Sequence, residues 1–242
     1  MAAVSNSSDI FMLSYYSERI ARAGCVGLVL MNSPPTVHAH GGMEKVLGTN
    51  PVSIAVPTAD PHPFVIDIAA TSADLSARIR LAQHYGEQLA CGTGLGPDGR
   101  PTTDPSAVLA GAISPFGGHK SSGFGFCVAL ISGVLSGCAV GKGQRQWHGE
   151  EPGAAGKKGH AYIAIDPAAF GDAERFRKAA SAYLAQVRAS RASPGSASVR
   201  IPGDRATAAR KANVSRGRVD IDGHVWDSTA KLAAQLNVAM PS

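Results

Sequence analysis

Charge, aromatic side chains and paired cysteines are all scarce in this sequence. Charged residues make up 17% and aromatic residues 6%, against 44% apolar residues. That balance excludes a disordered, highly charged chain and leaves a globular one. Its 242 residues suffice for one large domain or two small ones, with a buried core. None of the four cysteines (Cys25, Cys91, Cys127, Cys138) belongs to a C-x-x-C pair. Cys25 and Cys127 lie in apolar stretches where buried free thiols are common, and a reducing, cytoplasmic setting is expected. Residues 1–8 have neither a basic n-region nor an apolar h-region, so no signal peptide is expected. The longest apolar run, residues 124–140, is shorter than the ~20 residues of a membrane span. It contains three glycines and two serines between Lys120 and Lys142, and reads as a buried core helix rather than a membrane helix.

What is abundant is Gly (28) and Pro (15), which predicts many turns and close backbone approaches. The net charge is +5, with a pI of about 9.2. The basic residues are dispersed except at Lys157-Lys158 and over residues 188–218, with no interleaved aromatics. No helix-turn-helix, zinc-finger or RNA-recognition signature is present, so no nucleic-acid partner is expected. A modest positive field suits anionic cofactors and small carboxylates.

Along the chain, residues 11–23 predict a helix and residues 26–31 a buried strand. Residues 32–51 read as a long loop, then 52–56 and 64–68 as two strands of a hairpin. Residues 73–83 predict a helix capped by Ser72, and 91–105 an irregular loop. Residues 107–113 form a short helix or strand, 122–140 the buried helix, and 141–159 a surface loop. A strand at 161–165 and an amphipathic helix at 172–188 follow. After a Ser/Ala/Pro linker at 191–198, short strands at 199–201 and 219–221 and helices from Arg205 and over 228–236 complete the reading.

Several motifs fail on inspection. Gly94, Gly96 and Gly99 match G-x-G-x-x-G, but Pro101 and Pro105 block the helix that a dinucleotide fingerprint requires. Gly117-Gly118-His119-Lys120-Ser121 lacks the glycine directly before lysine that a P-loop needs. His38 and His40 have no third ligand at metal-site spacing and read as solvated loop histidines, so no metal is expected. No G-x-S-x-G elbow supports serine hydrolysis.

Ordered segments carry a positive signal. They are Val4-Ser5-Asn6-Ser7-Ser8-Asp9 with Tyr15-Tyr16 and Gly24 to Leu28, then Met31 to Pro35 with Gly41-Gly42 and Leu47-Gly48-Thr49-Asn50-Pro51. Ile66-Asp67-Ile68-Ala69-Ala70-Thr71-Ser72 follows, then Pro101 to Pro105 with Ser114 to Lys120. A weaker set is Ala164 to Pro167 with Phe170, and Arg200 to Arg205. In this order and spacing the chain resembles the type-2 malate/L-lactate dehydrogenases. Relatives there include ureidoglycolate and sulfolactate dehydrogenases and reductases of pyrroline- and piperideine-2-carboxylate.

The resemblance implies an α/β fold with a mixed, largely antiparallel sheet and flanking helices, distinct from Rossmann, in a homodimer. It implies a remnant of the substrate and dimer domain at residues 1–30, an NAD(P)-binding domain at 31–170 and a C-terminal helical region at 171–242. It implies NAD or NADP as cofactor and a small 2-hydroxyacid or 2-oxoacid as substrate. Cofactor contacts would fall on Ser33, Asp67, Ile68, Ala69, Gly117, Gly118, Lys120, Pro202, Gly203 and Asp204. Taken alone, Asn32-Ser33-Pro34 is an ordinary turn, Asp67 a cap or turn carboxylate, and Asp204 a helix cap.

Departures from the family pattern are equally specific. Asp9 stands where the family motif Asn-Ser-x-His carries its acid/base histidine. An imidazole titrates near working pH, whereas an ordinary carboxylate is ionised there and would repel an anionic oxoacid. No Ser-His-Gly motif is present, and Ser121 and Ala129 replace a family glycine and acidic residue. Three accounts stay open: a fragment of a working enzyme, a degenerate member that still binds nucleotide or dimerises, or missing groups supplied by another chain.

Overall fold

The computed structural model describes residues 1–144 and 157–240, with the backbone alone at residues 75–77. The chain opens with β1 (Ala2–Ser7), a strand that the small, polar residues there do not announce. Helix α1 (Ser14–Arg22) is shorter than the apolar pattern predicts and starts from Leu13 without a side-chain cap of its own. β2 (Val26–Met31) coincides with the predicted buried strand. The segment predicted as a loop up to residue 51 contains two short strands, β3 (Val37–His38) and β4 (Lys45–Leu47). β5 (Val52–Val56) and β6 (Phe64–Ile68) form the predicted antiparallel hairpin.

A π-helical turn at Leu75–Arg80 leads into α2 (Leu81–Tyr85), which ends at Gly86 with φ 67°. Ser72 is not its cap: the Ser72 hydroxyl donates to the Thr93 carbonyl at 2.8 Å. The predicted irregular loop at 91–105 holds β7 (Gly94–Leu95) and β8 (Pro101–Thr102), paired antiparallel. These strands rest on tight turn bonds, which apolar periodicity does not register. α3 (Pro105–Ala110) begins at Asp104, whose carboxylate accepts from Ser106 N–H, and β9 (Ala112–Ile113) follows directly. α4 (His119–Ala129) runs into a π-helical turn at Leu130–Val134. β10 (Lys158–Ile165) extends the predicted strand by three residues, 158–160.

α5 (Ala173–Arg188) is capped by Asp172, which accepts from Glu174 and Arg175 N–H. α6 (Asp204–Arg216) and α7 (Gly223–Gln235) complete the chain, the latter capped by Asp222 and starting five residues before the predicted 228. The strands expected at 199–201 and 219–221 are not formed; residues there have no ladder partner among the described residues. Two compact units result, Met1–Val199 and Arg200–Ser242. No helix among the described residues is long and apolar enough to cross a membrane.

The first unit holds two five-stranded sheets, β1-β10-β2-β5-β6 and β4-β3-β9-β7-β8. Every neighbouring pair is antiparallel except β3 with β9, so the arrangement is mixed and largely antiparallel. The first sheet explains why β2 reads as an unbroken apolar run: both of its faces are covered. Val29 and Met31 pack with Leu13, Tyr16 and Ile20 on the α1 side. Leu28 and Leu30 pack with Phe124 and Val128 on the α4 side. The second sheet surrounds Val37, Leu47, Ile79, Val108 and Ile113.

The expectation of a fully buried helix at 122–140 needs correction. One face of α4 and its π turn is inward, through Val128 and Ser132, but Phe126, Leu130 and Val134 are 46%, 57% and 51% exposed. Hydrophobic content is high all round this helix, and content alone does not reveal which side a sheet covers. Most of the predicted loop at 141–159 lies outside the described residues.

Close approach of α1 to β2 depends on Gly27. A Cβ there would lie 2.8 Å from both Ile20 Cβ and the Ser17 carbonyl oxygen. Gly27→Ala is expected to destabilise the chain by about 1–3 kcal/mol through overpacking. Urea unfolding checks this, and an unchanged midpoint would contradict the packing of α1 on β2.

Candidate functional site

At the end of β2 the backbone turns out of the sheet at Asn32 and Ser33, both buried. Asn32 ties three segments: its Oδ1 accepts from Gly159 N–H at 2.7 Å, and its Nδ2 donates to the Ala139 carbonyl at 2.9 Å. Asn50, left-handed at φ 42°, does the same for the Gly-Thr-Asn-Pro loop. Its Oδ1 accepts from Ser33 N–H at 3.2 Å and its Nδ2 donates to the Gly125 carbonyl in α4 at 2.9 Å. The Ser33 hydroxyl accepts from Asn50 N–H and shares a 2.9 Å hydrogen bond with the Thr49 hydroxyl. Gly48 is required where it stands, since a Cβ would fall 2.1 Å from the Ser33 carbonyl oxygen.

The end of β6 joins the same place. Ala70 N–H donates to the Thr49 carbonyl at 2.8 Å, and the buried Ser121 hydroxyl donates to the Ala70 carbonyl at 2.9 Å. Ser121, a departure from the family glycine, is therefore used in joining α4 to β6. Asp67 accepts from Ser14 N–H at 2.7 Å, so a carboxylate from β6 caps α1. Ile68 is exposed and Ala69 half-buried beside it. Gly117 and Gly118, with φ of 62° and 63°, turn the chain into α4, whose start has no side-chain cap. Lys120 is exposed in its first turn.

The structure thus ties Ser33, Ala70 and α4 together at the Thr49-Asn50 loop; of the other expected residues, Asp67 bonds α1 and Gly118 lies near His40. Pro202, Gly203 and Asp204 belong to the second unit. There Gly203, at φ 90°, opens α6, and Asp204 reaches back to accept from Ile201 N–H at 3.0 Å.

Asp9 lies beyond Asn32, at the start of β10. Its carboxylate is ion-paired with the Lys158 ammonium; the Asp9 side chain is 63% exposed and that of Lys158 only 9%. His160, two residues on and on the same strand face, is 1% exposed. It hydrogen-bonds the Ser8 backbone, and its Nε2 has no partner among the described residues. Burial, and after it the Lys158 charge, push this imidazole below its ordinary pKa, against the Ser8 bond and the Asp9 charge. Tyr162 continues the face, its ring 6.3 Å from that of His160 and 5.9 Å from Tyr16. Burial raises the Tyr162 pKa, with Tyr16 adding to the rise.

No site role for Lys158, His160 or Asn32 follows from the sequence, where Lys158 is only part of a basic pair and Asn32 only part of a turn. The alternation Lys158-His160-Tyr162 on one strand face is readable only with the strand beginning at Lys158 rather than at residue 161. His38 also differs from expectation. It is buried in β3, with Nε2 3.1 Å from the Ser114 hydroxyl and Nδ1 2.8 Å from the Ala39 carbonyl oxygen. Two short strands turn that loop inward at His38 and outward at His40, whose ring is 5.8 Å from His119. The Gly94–Gly99 pattern forms the β7–β8 hairpin, closed by Gly96 N–H on the Arg100 carbonyl at 2.8 Å. Among the described residues no three His, Cys, Asp or Glu side chains group as a metal site.

The model of the malate/L-lactate dehydrogenase family matches residues 1–229. The chain belongs to this family. It is 30% identical to the L-sulfolactate dehydrogenase of Methanothermobacter thermautotrophicus over 98% of this chain and 67% of that one. It is 41% identical to the Delta(1)-pyrroline-2-carboxylate reductase of Ancylobacter novellus over 73% of this chain and 50% of that one. A solved dehydrogenase structure from Sinorhizobium meliloti is similar at TM-score 0.84 and 35% identity, covering 96% of this chain and 66% of that one. The chain therefore spans one half to two thirds of the length of these three relatives.

The depressed His160 pKa fixes a pH dependence. The unfolded chain takes up a proton that the folded chain refuses, so this stability is complete above the unfolded imidazole value of about 6.5 and is lost as pH falls below it. Urea midpoints measured between about pH 5 and pH 8 are expected to fall on the acid side. His160→Gln should flatten that slope; an unchanged slope would place its origin elsewhere.

Proposed function

We propose that this chain takes part in NAD(P)-dependent interconversion of a small, malate- or lactate-like 2-hydroxyacid and its 2-oxoacid. One observation carries the reading: Ser33, the end of β6 and the start of α4 meet at the Thr49-Asn50 loop. The donor chemistry fits a dinucleotide. The uncapped first turn of α4 offers backbone N–H groups and the positive end of a helix dipole. A side chain at Gly117 would meet no atom within 4 Å, so the approach is open.

In this reading Lys120 pairs with cofactor phosphate as a point charge, and Gly117 and Gly118 admit close backbone approach. Ser33 is held in place by Thr49 and Asn50, while Asp67, Ile68 and Ala69 line the cofactor at the strand end. The bound nicotinamide supplies or accepts the hydride. In the second unit, Pro202, Gly203 and Asp204 offer a further phosphate-binding helix start.

Sulfolactate and pyrroline-2-carboxylate, named for the two relatives, each carry a carboxylate on the carbon that changes oxidation state. That is the substrate class proposed here. Residues 31–170 supply the cofactor contacts of the first unit, and the protein acts as a cytoplasmic homodimer. The exposed apolar row Phe126, Leu130 and Val134 is surface suited to such a contact. A second reading, an inactive member that binds nucleotide or dimerises, is favoured by the ion pair that occupies Asp9.

Titration with NADH and NADPH, followed by nicotinamide fluorescence, tests the cofactor site. Saturable binding is expected, weakened about tenfold or more by Lys120→Ala, as for a lost charge-assisted phosphate contact. A folded chain that binds neither nucleotide would sink the proposal.

A further inference from the structure

We infer that Lys158, rather than Asp9, delivers the proton in the reaction proposed above, with Asp9 holding the ammonium and reconnecting it to water. The inference rests on the cofactor reading and adds to it a residue that the family pattern does not supply. The acid/base position holds a carboxylate that is already ion-paired, and an ion-paired carboxylate has no proton to give. Its partner does: an ammonium carries three N–H donors, and one on Asp9 leaves two.

The burial is asymmetric in a useful way. Lys158 is 9% exposed, so its proton is shielded from bulk water, whereas Asp9 is 63% exposed and open to it. Asp9 faces this ammonium from the segment before α1, and His160 is its ionisable neighbour on its own strand, with Tyr162 beside His160 and Tyr16 of α1 beside Tyr162. His160 is pinned by the Ser8 backbone and kept uncharged by burial, so it adds no second positive charge beside Lys158. The location is also right. Gly159, the next residue, donates its N–H to Asn32, and Asn32 directly precedes Ser33 of the cofactor site.

In the reducing direction one Lys158 Nζ–H bond breaks. An O–H bond forms at the carbonyl oxygen as the carbonyl carbon takes a hydride from the reduced nicotinamide. The 2-oxoacid is reduced, the nicotinamide is oxidised and Lys158 is left as the neutral amine. The exposed Asp9 carboxylate then takes a proton from solvent and passes it to the Lys158 amine, which restores the ammonium and the carboxylate. Oxidation of the hydroxyacid runs the same steps backwards.

Lys158→Arg and Lys158→Met separate this role from a structural ion pair. A guanidinium keeps the charge and can pair with Asp9 but does not give up its proton. Four readouts are taken on the full chain: the thermal midpoint, NADPH fluorescence, binding of oxamate to the NADPH-loaded protein, and turnover of pyruvate, oxaloacetate and sulfopyruvate. Lys158→Arg is expected to preserve the first three and to lose about 10²–10⁴-fold in turnover, the usual worth of a general acid. Lys158→Met should lose oxamate binding as well, while still binding NADPH. Asp9→Asn, which leaves the ammonium in place, should cost less turnover than Lys158→Arg. Turnover retained by Lys158→Arg, or the reverse order of the two variants, overturns the inference and leaves the cofactor site standing. So does an unaltered chain that binds NADPH but neither binds oxamate nor turns over any of the three acids. Failure of the unaltered chain to bind NADPH removes the cofactor reading and this inference together.

Discussion

The first unit depends on the burial of both faces of β2. A strand covered on one side needs apolar residues at alternate positions only; Val26–Met31 supplies them throughout, because α1 lies on one face and α4 on the other. Each helix then has a fixed surface to meet. On the α1 side a glycine lets the helix approach, and buried Ser17 and Ser53 share a 2.7 Å hydrogen bond. On the α4 side Val128 and Phe124 close over Leu30 and Val52. The start of α4 is carried into position by this packing, and with it Gly117, Gly118 and Lys120. The geometry of the candidate site is thus a by-product of how the central strand is covered.

Local sequence pattern revealed what local chemistry controls. β2, β5, β6 and α5 are written in apolar periodicity and end punctuation, and they stand close to where that pattern puts them. β1, β3, β4, β7 and β8 could not be read this way. They are two to six residues long; β1 and β3 pair with distant chain, at β10 and β9, whereas β4 and β8 are the second strands of short hairpins held by turn bonds. β1 is the clearest case: its residues are mostly exposed, and only the ladder to β10 makes it a strand.

The candidate site divides along the same line. Ser33, Asp67 and Lys120 sit in motifs that the resemblance singles out, but the residues that brace them do not. Asn32 reaches Ala139 and Gly159, more than a hundred residues on, and no spacing rule anticipates that. Asp67 caps a helix, though one from a distant segment rather than its own. His38 was misread because a histidine between Gly and Pro residues looks solvated until its strand is known. The pairing of Asp9 with Lys158 spans 149 positions and turns an isolated oddity of sequence into one half of a charged couple.

The side chains that brace the loops around Ser33 are carboxamides. Asn32 and Asn50 carry four hydrogen bonds between them, yet neither side chain gains or loses a proton across the pH range of life. That frame is electrically silent. It neither repels an arriving anion nor draws counter-ions that would first have to leave, and it keeps its shape while its surroundings titrate. The charged pair Asp9–Lys158 and the buried His160 stand just beyond it, across the Asn32–Gly159 hydrogen bond. The molecule thereby sets a frame of neutral amides directly beside a cluster of charged and ionisable groups, one asparagine apart.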